Sequence, residues 1–317
     1  MPPTISSRSS IDAIHRCLLA LPEAAAWPDM LGVFDVAQQK PRPDWDLPLL
    51  TCQAVGAPAE QAIPAAAAIA CMQISIILTD DMLDNDPRGW HNQVGTGAAA
   101  NMSLAFQAAA FRVLLQSEIG DNLRVALARE LGWMGHATAL GQHLDSENLT
   151  GEVNYWRVVE AKSTPFYGTA FYLGAVAGEA PPTVAGQLRQ FGLLLGEMIQ
   201  IQDDLLDALQ SPANPDWLEG RNNLLLLYAQ SIDHAERERF RQLQGQVADS
   251  ASLHEAQQIL MRSGAVSYAA FQIMARYEKG RQMLADLGLA DAQPLLELLT
   301  KQIRLVTTLL QKSGIQV

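Results

Sequence analysis

The sequence predicts an all-α fold, and three observations carry that reading. Apolar residues recur at spacings of three and four through "IDAIHRCLLAL", "LRVALARELGWMGHATALGQHL", "VAGQLRQFGLLLGEMIQIQDDLLDAL" and "AVSYAAFQIMARYEKGRQMLADL", the period of one helix face. No stretch alternates polar and apolar residues around a tight turn, so strands and hairpins find no support. The 317 residues are 49% hydrophobic, enough to bury a large core and too apolar for disorder.

The first helix is "IDAIHRCLLAL". The apolar run from Ala62 to Leu78 follows; it contains Pro64, Gln73 and Ser75 and ends in Asp80, which suits a buried helix of a soluble protein better than a membrane span. The later helices are those quoted above, with an aromatic-rich one at "YWRVVEAKSTPFYGTAFY" whose rings read first as core. Breaks fall at "QQKPRPDWD", "VGAPAEQ", "NDPRGWHNQVGTG", "EAPPT" and "QSPANPDW", where Pro, Gly and Asn gather. None is long or polar enough to be an interdomain linker. We expect one domain over residues 1–317, with about ten to a dozen helices joined by short loops.

A formal charge of -12 argues against nucleic acid as a partner, since phosphate backbones are bound by dense Lys and Arg. Any phosphate bound here needs a metal or a small local basic cluster. Cys17, Cys52 and Cys71 have no CxxC spacing and fit a reduced, cytoplasmic protein; no secretion signal is read at the N-terminus. The glycines of "VGTGAAAN" follow no strand and so do not read as a dinucleotide loop.

The chemistry concentrates in two echoing segments, "LTDDMLDNDPRG" and "QIQDDLLDAL". Residues four apart share a helix face, so Asp80 stands with Asp84, and Asp203 with Asp207. Like charges at that spacing repel, and hard oxygen ligands in clusters suit Mg²⁺, which keeps several waters and bridges a few carboxylates to phosphate oxygens. Neither segment has the alternating acidic spacing of an EF-hand loop. A lone acidic helix end is commonly solvated surface; two copies, each behind an apolar helix, point to a metal-diphosphate site.

With these paired motifs the chain resembles the trans-isoprenyl diphosphate synthases, the polyprenyl synthetase family. The likeness extends to "KPRPDWDLPLLTCQAVG", "GEVNYWRVVEAKSTPFYGTAFYLGAVAG", the Gly-Gln-x-x-Asp of "GQHLD", and "DWLEGRNNLLLLYA", and runs from Lys40 to the last helix behind more variable N-terminal helices over 1–39. The resemblance implies an isoprenoid synthase-type helical bundle around a central apolar cavity. It implies three Mg²⁺ ions with diphosphate bound, contacted by Asp80, Asp84 and Asp203 and supported by Asp81, Asp204 and Asp207. Lys162 and Arg88 would bind an allylic diphosphate, with Gln200 beside them; Arg42 and Gln73 would face isopentenyl diphosphate. The implied reaction is ionisation, condensation and elimination, with released diphosphate as the base and no catalytic His. A homodimer without stable membrane insertion is also implied.

The chain departs from the family pattern at several cations. Gln39 stands where a lysine is usual, with Lys40 beside it; "NDPRG" offers only Arg88; Arg221 replaces a lysine. A depleted isopentenyl diphosphate site keeps open a terpene cyclase on the same scaffold, or a non-catalytic regulatory subunit of a prenyl synthase; intact Arg42, Gln73, Arg88 and Lys162 favour chain elongation, and the complete acidic motifs argue against the non-catalytic subunit. Four, five and eight positions before Asp80 stand Ile76, Ser75 and Met72, none aromatic, which predicts geranylgeranyl diphosphate as product and farnesyl diphosphate second.

Overall fold

A computed structural model describes residues 7–312. The protein is 79% helical, with no strand among the described residues. Among the described residues seventeen α-helices follow in order: α1 (Ser7–Leu19), α2 (Pro22–Ala25), α3 (Pro28–Gln38), α4 (Leu47–Ala54), α5 (Ile63–Leu83), α6 (His91–Val94), α7 (Thr96–Gln116), α8 (Asp121–Ser146), α9 (Glu152–Lys162), α10 (Thr164–Ala177), α11 (Pro182–Leu209), α12 (Pro215–Leu218), α13 (Leu224–Ser231), α14 (Arg237–Gln244), α15 (Ser250–Arg262), α16 (Ala265–Asp286) and α17 (Gln293–Lys312). The count exceeds the expected dozen because segments read as breaks hold short helices of their own. Proline at the first turn, where its missing N–H is no loss, starts α2 and α12.

The chain divides into two compact units. Unit 1 comprises Met1–His136, Phe166–Gly192 and Leu287–Leu295. Its spine is α5, where Ala65, Ala66, Ala67, Ala68 and Ala70 are all buried, small enough for α1 and α7 to lie close along it. Phe34 stacks between His15 and Trp45 at centroid distances of 5.2 and 5.3 Å. Where α10 meets α4 a Cβ on Gly174 would stand 2.7 Å from the Pro48 Cα, so only glycine lets the two backbones touch. Among the described residues α5 is also one of two helices long and apolar enough to cross a bilayer, the other being α7, yet 67% of its apolar window is buried inside the protein.

Unit 2 comprises Ala137–Pro165, Leu193–Asp286 and Leu296–Val317. The buried run Leu224–Leu227 places α13 against α9 and α16. The C-terminal carbonyls of α11 are satisfied by side chains: Ala208 O accepts from Trp217 Nε1 at 3.1 Å and from Gln257 Nε2 at 3.2 Å, and Gln210 O accepts from Gln257 at 2.9 Å. These bonds fix the end of the helix that carries the second acidic motif.

Candidate active site

In unit 1 the first acidic motif closes α5. Asp84 is the C-cap, its N–H donating to Asp80 O at 2.9 Å, so Asp80 and Asp84 sit one turn apart at the negative end of the helix dipole. Carboxylates are disfavoured there unless cations compensate. Asn85 then takes a positive φ of 50°, a conformation Asn tolerates, and the chain doubles back. Asp86 N donates to Asp81 O at 3.0 Å, and Gly89 packs so tightly that a Cβ would stand 2.9 Å from the Asp81 Cβ. Asp81 is half-buried under this loop, and its carboxyl is pushed up by burial first, then by Asp86 and Asp80.

The structure places Arg88 on Asp86, with Nη2 2.7 Å from Oδ2 and Nε 3.0 Å from Oδ1, holding the Asp86 carboxyl at about 2. At 89% exposure Arg88 is not locked there, because water screens such pairs. Arg42 donates to Ala37 O at 2.8 Å. Gln73 accepts from Trp45 Nε1 at 2.7 Å and donates to Asp44 Oδ2 at 3.1 Å, tying α5 to the turn Pro43–Asp46. Ser75 is buried and shares hydrogen bonds with Ser103 Oγ at 3.0 Å, while Ser103 also donates to Ser75 O at 2.9 Å. Ile76 is half-buried; Met72 is buried, its methyl 3.3 Å from where a Cβ on Gly135 would lie.

In unit 2 the second motif lies in the last two turns of α11. Asp203 is exposed and Asp207 half-buried, the latter accepting from Gln210 Nε2 at 3.1 Å and raised by burial. Asp204 is different: it is 2% exposed, accepts from Leu224 N at 2.7 Å and from Gln200 Nε2 at 2.9 Å, and burial pushes its carboxyl up to about 7. Gln200 in turn accepts from Ser163 Oγ at 2.7 Å. Beside Asp204, Tyr155 is buried and its hydroxyl is pushed well above the usual tyrosine range by burial, then by the Asp204 charge. Asn223 caps α13 and its Nδ2 bridges Asp204 O at 2.9 Å and Asp216 Oδ2 at 3.0 Å. Lys162 reaches Asp145 Oδ2 at 2.6 Å, and Arg221 pairs with Glu219 at 2.9 Å.

Thus Asp80, Asp81, Asp84, Arg88, Gln73 and Arg42 belong to unit 1, and Lys162, Gln200, Asp203, Asp204, Asp207 and Arg221 to unit 2.

The family model for polyprenyl synthetase matches residues 46–261, more than half of the chain. The chain belongs to the polyprenyl synthetase family. It is 29% identical over 251 residues to geranylfarnesyl diphosphate synthase of Aeropyrum pernix, covering 74% of this chain and 78% of that one. It is 27% identical over 197 residues to geranylgeranyl diphosphate synthase of Methanosarcina mazei, covering 57% of this chain and 60%, under two thirds, of that one. Its backbone follows geranylgeranyl pyrophosphate synthetase of Geoglobus acetivorans with a TM-score of 0.76 at 22% identity, over 96% of each chain. The fold is therefore the all-α fold of the isoprenyl synthases.

For this polyprenyl synthetase family member the donor set decides whether a hard divalent ion fits. Both motifs offer carboxylates alone, and among the described residues no three His, Cys, Asp or Glu side chains converge on one point. Carboxylate oxygens are hard donors of the kind a divalent cation takes together with water and phosphate oxygens. Asp145, Gly141 and Ser163 were not among the candidate site residues. The "GQHLD" stretch holds two of them, but their relation to Lys162 depends on how two helices cross, which one helix's period does not reveal.

Proposed function

We propose that this chain is a magnesium-dependent trans-isoprenyl diphosphate synthase, a prenyltransferase that joins an allylic diphosphate to isopentenyl diphosphate. The observation that carries the reading is the pair of helix-terminal carboxylate sets, Asp80 with Asp84 and Asp203 with Asp207, in a member of a family whose aligned relatives are named as geranylgeranyl and geranylfarnesyl diphosphate synthases. When bound, magnesium supplies positive charge that stabilises a departing diphosphate. Asp80, Asp84 and Asp203 are the residues to hold it. Asp81 and Asp207 stand beside them, and Asp204 supports the second set from inside the core.

Lys162 and Arg88 neutralise the allylic diphosphate, with Gln200 holding the Lys162 segment through Ser163. Arg42, Lys40 and Gln73 serve isopentenyl diphosphate, and Arg221 adds charge near the second motif. The allylic C–O bond ionises, the carbocation forms a C–C bond with the isopentenyl double bond, and a proton leaves to the released diphosphate. Apolar walls keep water from the cation. Ser75 suits such a wall because its hydroxyl is satisfied by Ser103 and presents no unpaired dipole. With Ile76 and Met72 on the same helix, and Met72 ending against Gly135, the product is geranylgeranyl diphosphate, with farnesyl diphosphate the next choice. The protein acts in the cytoplasm as a homodimer.

The test is incubation of the purified chain with Mg²⁺ and dimethylallyl, geranyl or farnesyl diphosphate, each with and without isopentenyl diphosphate, followed by mass spectrometry. Longer diphosphates that form only with isopentenyl diphosphate support elongation. Hydrocarbons formed without it mean a cyclase, and no turnover in any mixture means a regulatory subunit.

A further inference from the structure

We propose that Asp145 is a built-in counter-ion that competes with diphosphate for Lys162, and so limits how tightly the protein holds that anion. The inference rests on the reading of Lys162 as a diphosphate-binding cation.

The geometry begins with Gly141. It is buried on α8, and a Cβ there would stand 2.5 Å from the Lys162 Cα and nearer still to the Lys162 nitrogen. The clashing atoms are backbone and cannot swing aside, so residue 141 has to be glycine while the C-terminal end of α9 rests on α8. Asp145 lies one turn beyond Gly141 on the same face of α8. From there its Oδ2 meets Lys162 Nζ at 2.6 Å. On the other side Ser163 is tied through Gln200 to Asp204, and Asp204 to the Leu224 N–H. The backbone under Lys162 is thus held from two directions.

A loose pair between two long surface chains contributes little, because both must be ordered to form it. Here the frame has already ordered the base of the lysine. The pair is also partly sheltered, with side-chain exposures of 24% for Lys162 and 29% for Asp145, so it is neither dry nor fully screened. An arriving diphosphate must take over an ammonium that a carboxylate already holds, and must do so near further negative charge. Asp216, its carboxyl raised first by burial, is pushed further by Asp207 and by Asp145 itself. Removing the Asp145 charge therefore strengthens the attraction of Lys162 for an anion more than the loss of one orienting contact weakens it.

Calorimetric titration of the full chain with inorganic pyrophosphate at fixed Mg²⁺ tests this. Asp145→Asn keeps the side-chain shape and an acceptor oxygen while removing the charge, and tightens pyrophosphate binding by about tenfold. In a Lys162→Ala background the same change has an effect within about twofold, since a residue acting through Lys162 has nothing left to act on. Asp145→Glu, which keeps the charge, stays within about threefold of the wild type. If Asp145→Asn binds pyrophosphate no more tightly, or if its tightening persists without Lys162, the counter-ion role is wrong while the synthase reading stands. A wild-type chain that binds no pyrophosphate with Mg²⁺ overturns both.

Discussion

The two acidic segments, Asp80–Asp84 and Asp203–Asp207, share a pattern and a position at the ends of apolar helices, yet their middle aspartates differ. Asp81 lies half-buried beneath a returning loop, backed by Gly89. Asp204 is fully inside unit 2, where it satisfies the first N–H of α13 and the Gln200 amide. The outer residues of each pattern follow from helix geometry alone, four apart and on one face. The fate of the residue between them follows from what covers the helix flank. At α5 it is the loop of residues 85–90; at α11 it is a helix N-terminus, a donor with partial positive charge that a carboxylate satisfies well.

The outer aspartates give the largest contrast between chemistry and stability. Replacing Asp80 or Asp203 by alanine is expected to lower kcat by about a thousandfold or more, as removal of a metal ligand does. Folding should change little: at Asp80 the change removes a negative charge from the last turn of α5, an effect of about 0.3–1 kcal/mol in the stabilising direction, and Asp203 is exposed. Steady-state kinetics and thermal melts together check this. Activity within tenfold of wild type would remove the metal role from that residue.

The middle aspartates should invert that behaviour. Asp204→Ala leaves the Leu224 N–H unsatisfied in the core and takes an acceptor from the half-buried Gln200 amide, and is expected to lower unfolding free energy by about 2–4 kcal/mol. Asp81→Ala, at a half-exposed site, is expected to change it by less than about 1 kcal/mol. Urea unfolding of the two variants decides. Equal losses would mean that Asp204 is no more a part of the fold than Asp81.

How much of this was legible beforehand follows from the same distinction. The helix period disclosed the all-α fold, and the i,i+4 spacing disclosed both carboxylate pairs. Lys162, Gln200 and Asp203 fall within one unit although they come from two separate motifs, which no local spacing reveals. Asp204 was grouped with its neighbours because nothing in "QIQDDLLDAL" shows that Leu224, twenty residues on, donates to it. The resemblance places Gln73 toward ligand, and nothing local shows that its amide also joins Trp45 to Asp44, residues 28 and 29 positions away. Gly141 and Asp145 were visible as a motif, but their reason is the crossing of α8 and α9. Short-range periodicity carries the first kind of information, and tertiary contact the second.

The smallest effect tests the Asp204 environment itself. Its carboxyl is raised from an ordinary 3.8 to about 7. Between those values the unfolded chain has lost the proton and the folded chain keeps it, so the native state binds more protons and stability falls as pH rises through the window. The loss is at most about 1.4 kcal/mol per pH unit. Asp204→Asn offers Leu224 an acceptor but nothing that ionises, so its urea midpoint should fall less than the wild type's between pH 5 and pH 6, with divalent metal absent. Asp46 and Asp207 are also raised by burial but are not among the charges acting on Asp204, so they cancel in the difference, whereas Asp216 is coupled to Asp204 and its share of the slope changes with it. Asp81→Asn should recover much less of that slope, because desolvation raises Asp81 from a half-exposed position and part of its charge already faces water. Parallel pH profiles for wild type and Asp204→Asn would show that Asp204 ionises in the folded protein as it does in the unfolded chain, and that the contrast between the two middle aspartates lies in hydrogen bonding alone.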